Sequence, residues 1–292
     1  MEGMETAVST EKKSPLTRRR FLQLGGLSAA GLALYAGEIS RHEISIERRT
    51  FTLPRLPEAF RGFQIVQISD IHYAEYTEPF FVKLVVDEIN RLPADLVVLT
   101  GDFISYGPAG KWHSVKWAHH CAEILRGIRC PQRLAVMGNH DCIVGCDEIT
   151  EIIQATGIPV LNNRAIPIER DGKRLWIAGV ADPLVGDPRL PLAIPSTLRA
   201  DKEPVILLAH EPDYVTEVVP YGVDLMLSGH THGGQIRFPF LPAMFLPKMG
   251  TEHVEGLFHI GQTQLYVNRG IGAVGLPFRF NCPPEITHIT LA

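Results

Sequence analysis

Apolar runs of strand length recur along this chain, and each is followed by polar residues of a narrow set of types. Residues 64–68, 96–99, 133–137, 205–208 and 225–227 are short, partly β-branched and spaced by helix-length segments. Such runs predict buried parallel strands. Residues 79–92 carry Phe80, Phe81, Leu84, Val85 and Ile89 at helical spacing, and Pro79 suits a first turn. Further crossover helices are expected over 117–125 and 148–155. Residues 43–53 alternate through Ile44, Ile46, Phe51 and Leu53 and read as an antiparallel entry strand. A β-rich stretch follows at 160–161, 166–169 and 175–178, with Asp171-Gly172 as a hairpin turn. A short helix at 214–219 and strands at 235–238, 257–260, 264–267 and 286–291 complete the pattern. Parallel β-α units flanked by β-meanders imply an α/β fold with two mixed sheets face to face and helices outside.

The residues that close these runs carry the chemistry. They are Asp70 and His72 in QISDIH, Asp102 in LTGDF, Asn139 and His140 in VMGNHD, His210 in LLAH, and His230 and His232 in LSGHTH. In open α/β sheets, ligands bind beyond the carboxyl ends of the strands, so five segments converge on one edge. Any one of these residues alone reads as a helix cap, a turn residue or a satisfied polar group. His42, His113, His119, His120, His253, His259 and His288 read that way. The joint pattern points to metal. Carboxylate oxygen and imidazole nitrogen without thiolate suit Mn, Fe or Zn. This many donors exceeds the need of one ion. Two divalent ions bridged by one carboxylate use them all, lower the pKa of a water between them and favour in-line attack on phosphorus.

The series D-x-H, G-D, G-N-H-D, a lone H and G-H-T-H resembles the calcineurin-like metallophosphoesterase superfamily, in order from Asp70 to His232. The resemblance implies a four-layer α/β/β/α sandwich. It implies that Asp70, His72 and His232 hold one metal, that Asn139, His210 and His230 hold the second, and that Asp102 bridges them. His140 would stabilise the transition state or protonate the leaving oxygen. One departure stands out. The superfamily's protein phosphatases continue the Gly-Asp segment into a second Asp and an Arg, whereas here it runs Gly101-Asp102-Phe103-Ile104-Ser105-Tyr106-Gly107. The partner that orients His140 is therefore unassigned, with Asp141 adjacent, and a phosphoprotein substrate is disfavoured. The run G-H-T-H-G-G-Q resembles a bacterial branch of exported or membrane-associated phosphoesterases, akin to enzymes that cleave UDP-diacylglucosamine in lipid A synthesis. That likeness implies a glycolipid pyrophosphate or phospholipid substrate. It stands against export, because that pathway works at the cytoplasmic face.

The front of the chain has its own pattern. Thr17-Arg18-Arg19-Arg20-Phe21-Leu22-Gln23 fits a twin-arginine export signal, followed by an apolar, Gly- and Ala-rich stretch over 24–36. That stretch is shorter than the ~20 residues of a membrane span and looks like a signal h-region. Leu34-Tyr35-Ala36 is a weak cleavage site, so an uncleaved anchor is one expectation. The division expected is a leader over 1–41 and one catalytic domain over 42–292, exported through the twin-arginine translocase to the periplasm or envelope.

Charge narrows the partners. The chain has 28 Lys+Arg against 32 Asp+Glu, net −4 at pH 7. Basic residues outnumber acidic ones within 1–36, so the remainder is more acidic still. Nucleic-acid binders carry basic patches, and a nuclease on long duplexes is disfavoured. The cysteines are Cys121, Cys130, Cys142, Cys146 and Cys282, an odd count that excludes a fully paired framework. Cys142 and Cys146 read as buried small apolar groups, with a redox-sensitive pair or a zinc corner as alternatives. The apolar, Pro-broken run 238–247 and Leu276-Pro277-Phe278 suggest acyl-chain binding or contact with a bilayer surface; packing on the domain's own core is the plainer alternative. Arg237 and Arg269 are candidate phosphate contacts. The expected activity is binuclear metal-dependent cleavage of a phosphodiester or pyrophosphate. A non-catalytic metal-binding envelope protein and a nucleotide phosphodiesterase or nuclease are the alternatives.

Overall fold

The computed structural model describes residues 17–74, 76–106, 110–200, 203–243 and 245–292. Lys12 and Lys13 of the leader, Gly107 after the Gly-Asp segment and Met244 of the apolar run lie outside the described residues. The strands are β1 (Ser45–Phe51), β2 (Gln64–Ile68), β3 (Leu96–Thr100), β4 (Arg133–Val136), β5 (Arg164–Arg170), β6 (Lys173–Gly179), β7 (Val205–Leu208), β8 (Leu225–Ser228), β9 (Gly256–Ile260), β10 (Thr263–Val267) and β11 (Glu285–Leu291). The helices are α1 (Arg18–Leu34), α2 (Pro79–Ile89), α3 (Lys111–Leu125), α4 (Asn139–Gln154), α5 (Leu190–Ala193), α6 (Ser196–Ala200) and α7 (Val215–Val218).

Two mixed sheets result, in the orders β1-β11-β2-β3-β4 and β5-β6-β7-β8-β10-β9. β2, β3 and β4 run parallel in the first. β6, β7, β8 and β10 run parallel in the second. Alternate residues explain the near-continuous apolar runs, because both faces of each sheet are covered. Ile65, Val98, Val136, Ile206, Leu208 and Leu227 share the core between the sheets. Val66, Val97 and Ala135 face outward onto Val82, Val85, Cys121 and Ile153 of α2, α3 and α4. Val205, Leu207 and Met226 face outward onto Val215, Val218 and Leu198. The order of layers is helix, sheet, sheet, helix, the expected metallophosphatase fold.

The differences from expectation are long-range. The entry strand β1 is parallel to its partner β11, not antiparallel. β11 inserts between β1 and β2 and is antiparallel only to β2. Local alternation identifies a strand but not the neighbour it will meet. The strand expected at 235–238 reduces to one bridge between Ile236 and Phe280; the left-handed Gln235 (φ 55°) and Pro239 prevent more. Val160 likewise makes a single bridge, to Ala135. α3 and α4 begin earlier than their apolar periodicity shows. The Asp171-Gly172 hairpin forms as expected, with φ of 50° and 69°.

Polar ties bind the two sheets where the site lies. The Gln67 amide donates to Ser228 O at 2.9 Å and to Thr100 Oγ1 at 3.2 Å, joining β2 to β8 and β3. The Asn268 amide donates to Thr287 Oγ1 at 2.7 Å, and Tyr266 donates to Glu285 Oε1 at 2.7 Å. Gln67 is fully buried, so Gln67→Ala removes both ties and leaves a cavity between the sheets, while Ser228 O keeps the Asn268 N–H at 2.9 Å. Urea unfolding of this variant is expected to show a loss of ~1–3 kcal/mol; an unchanged midpoint would contradict the bridging role.

Candidate metal centre

The ligand-type residues stand at the carboxyl ends of strands from both sheets. Asp70 and His72 follow β2, Asp102 follows β3, Asn139 opens α4 after β4, His210 follows β7, and His230 and His232 follow β8. Their backbone is unusual. Asp70, His72, Asp102, His230 and His232 all have positive φ, between 45° and 73°. Each such residue costs on the order of 1–3 kcal/mol and persists only where its surroundings over-determine it. Here they do. Asp70 N–H donates to Gly101 O at 2.9 Å, and His72 N–H donates to Asp102 O at 3.0 Å. His230 N–H donates to both Asp70 oxygens, at 2.9 and 3.1 Å. His140 N–H donates to Asp102 Oδ1 at 2.8 Å. The glycines beside them admit close approach: a Cβ on Gly138 would lie 2.3 Å from Asp102 Oδ1, and one on Gly229 would lie 2.2 Å from Asp70 Oδ2.

The side chains meet in two groups, linked by a third made of His72, Asp102 and His140. His232 Nε2 lies 3.0 Å from His72 Nε2 and 3.5 Å from Asp70 Oδ1. His210, His230 and Asp102 form the other group. Asp102 Oδ2 faces both, 3.5 Å from His72 Nε2 and 3.1 Å from His210 Nε2, nearer to each than Asp70 Oδ1 at 3.9 and 3.8 Å. The outer ring nitrogens are held from behind. His72 Nδ1 meets Ser105 Oγ at 2.8 Å, His210 Nδ1–H donates to Thr100 O at 2.6 Å, and His230 Nε2–H donates to Lys248 O at 2.9 Å. Such partners fix which nitrogen is free to bind metal. His210 Nε2 and Asn139 Oδ1 are buried with no hydrogen-bond partner among the described residues. Orphaned donor atoms around a shared carboxylate, all nitrogen or oxygen, fit a pair of divalent cations.

Electrostatics agree with that fit. Burial raises the Asp70 carboxyl to about 6, with the Asp102 carboxylate adding to the effect. Burial also opposes charge on Asp102, yet His210, His140 and His72 together hold it well below the ordinary range. Burial keeps His72 and His232 well below the usual imidazole range and takes His230 down to about 4. Those three rings are neutral and ready to ligate near neutral pH. His210 goes the other way: burial opposes its charge, but Asp102 and Asp70 raise it well above normal.

His140 lines a cavity together with His72, Asp102, Asn139, His230 and His232, and its ring stands edge-on to His72 at 4.8 Å. Its orienting partner is the backbone N–H of Tyr106, which donates to His140 Nδ1 at 3.2 Å. A main-chain donor leaves no trace in residue types, so the sequence could not reveal it. Asp141 points elsewhere. Its Oδ1 accepts from Phe103 and Ile104 N–H at 3.0 and 3.3 Å, and its Oδ2 accepts from Gly138 N–H at 3.1 Å, bracing the two loops. The two arginines singled out as phosphate contacts are spent on carboxylates and do not line the cavity. Arg237 pairs with Glu255. Arg269 sits between Glu47 at 2.8 Å and Glu285 at 2.7 Å.

Arg279 is the residue sequence reasoning missed. It is fully buried, donates to Gly272 O and Cys282 O at 3.0 and 3.1 Å, and lies 3.3 Å from His232 Nδ1. No local pattern marks it. Cys142 and Cys146 are joined to each other rather than packed as separate small groups. α4 departs from helical geometry at Gly145 between them, which brings their Cα atoms to 3.8 Å.

A two-sheet sandwich with Asp, Asn and His donors gathered around one carboxylate defines a metallophosphoesterase. The chain belongs to the calcineurin-like phosphoesterase family, whose profile matches residues 63–234 and so spans every residue from Asp70 to His232. It is 36% identical over 288 residues to the uncharacterized metallophosphoesterase YkuE of Bacillus subtilis (strain 168), covering 94% of this chain and 98% of that protein. It is 32% identical over 289 residues to the phosphodiesterase YaeI of Escherichia coli (strain K12), covering 94% and 99%. It is 27% identical over 309 residues to the UDP-2,3-diacylglucosamine pyrophosphatase LpxG of Chlamydia trachomatis serovar D, covering 87% and 91%. The protein is accordingly a hydrolase of phosphoester bonds.

The pKa pattern sets a pH dependence. Asp70 rises from 3.8 to about 6 on folding, so its contribution to the metal-free protein is present at low pH and is lost as pH rises through about 6. His210, also raised, acts in the same sense. Cations compete with these protons and replace them. Adding Mn²⁺ to chelator-treated protein is therefore expected to raise Tm more at pH 8 than at pH 5, measured by calorimetry. An equal or larger gain at pH 5 would contradict the assignment.

Proposed function

We propose that the protein is a binuclear metal-dependent phosphodiesterase or pyrophosphatase acting on a lipid-linked substrate. The observation that supports this reading is the character of the cavity. Its volume is ≈ 570 Å³; His72, Asp102, Asn139, His140, His230 and His232 form the polar floor, and Ile236, Phe245, Leu246, Pro247, Val274 and Leu276 form apolar walls. Such a site receives a charged phosphoryl group at its base and an apolar substituent along its sides. The Chlamydia relative, by its name, cleaves a pyrophosphate in a molecule carrying two acyl groups.

Asp70, His72 and His232 are assigned to one cation, and Asn139, His210 and His230 to the other, with Asp102 shared. Mn, Fe or Zn suits these donors. When bound, two such ions supply Lewis acidity and an activated water for in-line displacement at phosphorus. The chain's own part is positioning and hydrogen bonding. Asn139 Oδ1 and the imidazoles would hold the cations that receive the phosphoryl group at the floor. Because Tyr106 N–H donates to His140 Nδ1, the proton of the neutral ring sits on Nε2. That N–H can hydrogen-bond to the leaving oxygen and stabilise the charge that develops as the P–O bond breaks. The apolar walls exclude bulk water and hold the substituent that departs or remains.

Two substitutions separate the roles. Asp102→Ala is expected to abolish binding of two ions per chain, read by elemental analysis. His140→Ala is expected to keep its metal while losing on the order of 10²–10³ in kcat, the usual worth of one donor to a developing oxyanion, with Mn²⁺-loaded enzyme and bis-p-nitrophenyl phosphate. Wild-type turnover by either variant would overturn the role given to that residue. A panel comparing phosphomonoester, phosphodiester, nucleotide-sugar lipid and phospholipid tests the substrate class; preference for the water-soluble esters would count against a lipid-linked substrate.

A further inference from the structure

α1 is a helix with nothing packed against its sides among the described residues. None of its residues is buried, and Phe21, Leu22, Leu24, Leu27, Leu32 and Leu34 are all exposed. No charged side chain occurs between Phe21 and Leu34. At 100° per residue these apolar groups spread around most of the helix circumference instead of forming one stripe. A protein partner covers a stripe; a helix apolar on most sides needs apolar surroundings on most sides. The uncharged stretch is about 21 Å long at 1.5 Å per residue, and no described helix is long and apolar enough to cross a membrane. Arg18, Arg19 and Arg20, all exposed, open the helix and suit anionic headgroups.

The segment just after α1 behaves in the opposite way, being built into the catalytic domain ahead of the expected boundary at 41/42. Ala36, Gly37 and Ser40 are buried. Arg279 N–H donates to Ala36 O at 3.0 Å, and a Cβ on Gly37 would lie 3.1 Å from the Phe278 ring. The Arg41 guanidinium donates to Gly37 O, to Tyr76 O and to Glu78 Oε1, the last at 2.5 Å. The one cleavage-like site, at Ala36, is therefore locked in folded structure, whereas a protease needs an extended, accessible backbone. This junction also sits at the cavity rim. Phe278 follows Leu276 of the cavity wall, and the Gln235 amide ties Leu276 O at 3.0 Å to the loop after the His pair. Beyond that loop, Phe240 is fully exposed, and Leu241 and Phe245 are more than half exposed.

We propose that α1 is retained in the mature protein and, together with the Phe240–Leu241 tip and Phe245, docks the protein on a lipid bilayer with the cavity mouth at the membrane surface. The proposal stands on α1, its buried junction and the rim, and does not depend on which phosphoester is cut. Its test uses the full chain, recovered from the membrane fraction of an expressing bacterium. Intact mass is expected to include the residues ahead of α1; a chain beginning at or after Ala36 overturns retention. In flotation with mixed phosphatidylethanolamine–phosphatidylglycerol vesicles, the purified protein is expected to float. Leu24→Glu with Leu27→Glu is expected to cut the floating fraction about tenfold or more. Phe240→Asp with Leu241→Asp is expected to cut it several-fold. Both double variants are expected to hydrolyse soluble bis-p-nitrophenyl phosphate at the wild-type rate, which shows that they fold and reads the active site separately from docking. Flotation that neither pair changes overturns the proposal. So does a wild-type protein that stays with the soluble fraction as a stable dimer, since a second copy would then cover α1.

Discussion

One oxygen of Asp102 faces an imidazole from each sheet, and the remainder of the site is arranged around that contact. His72, at 3.5 Å, comes from the end of β2; His210, at 3.1 Å, comes from the end of β7 in the other sheet. The carboxylate can serve both only if the carboxyl edges of the two sheets are aligned and held together. The Gln67 and Asn268 ties and the His210–Thr100 hydrogen bond do that from within the core. The four-layer sandwich is thus more than a scaffold that carries loops. It sets the separation between the two groups of donors.

That arrangement is costly. Two carboxylates and four imidazoles are buried with few neutralising partners, and five of the ligand-type residues sit in left-handed backbone. Removing ionised groups from water is expensive unless they are paired. Arg279 places a fixed positive group behind His232. Cations would satisfy the orphaned Asn139 Oδ1 and His210 Nε2. Stability, metal affinity and the protonation state of the site are therefore one coupled property of this cluster.

Much of this was legible in the sequence because it rests on short-range pattern. The five strands that end at the site are apolar runs, and each run stops at a residue able to bind metal. The Asp171-Gly172 hairpin announces itself by turn chemistry. What the sequence hid depends on contacts distant along the chain or made by the backbone. β11 pairs between β1 and β2, so the direction of β1 relative to its neighbour could not be read from alternation. The orientation of His140 comes from the Tyr106 amide. Arg279 reaches His232 from 47 positions away. Arg237 and Arg269 looked free because their acidic partners, Glu255, Glu47 and Glu285, lie elsewhere in the sequence. The joining of Cys142 to Cys146 depends on the helix break at Gly145.

The sharing of Asp102 can be seen directly. Anomalous diffraction from crystals grown with Mn²⁺ should give two peaks roughly 3.5–4 Å apart, one on the His72–His232 side and one on the His210–His230 side, both within bonding distance of Asp102. A single peak, or two peaks of which only one touches Asp102, would contradict the account.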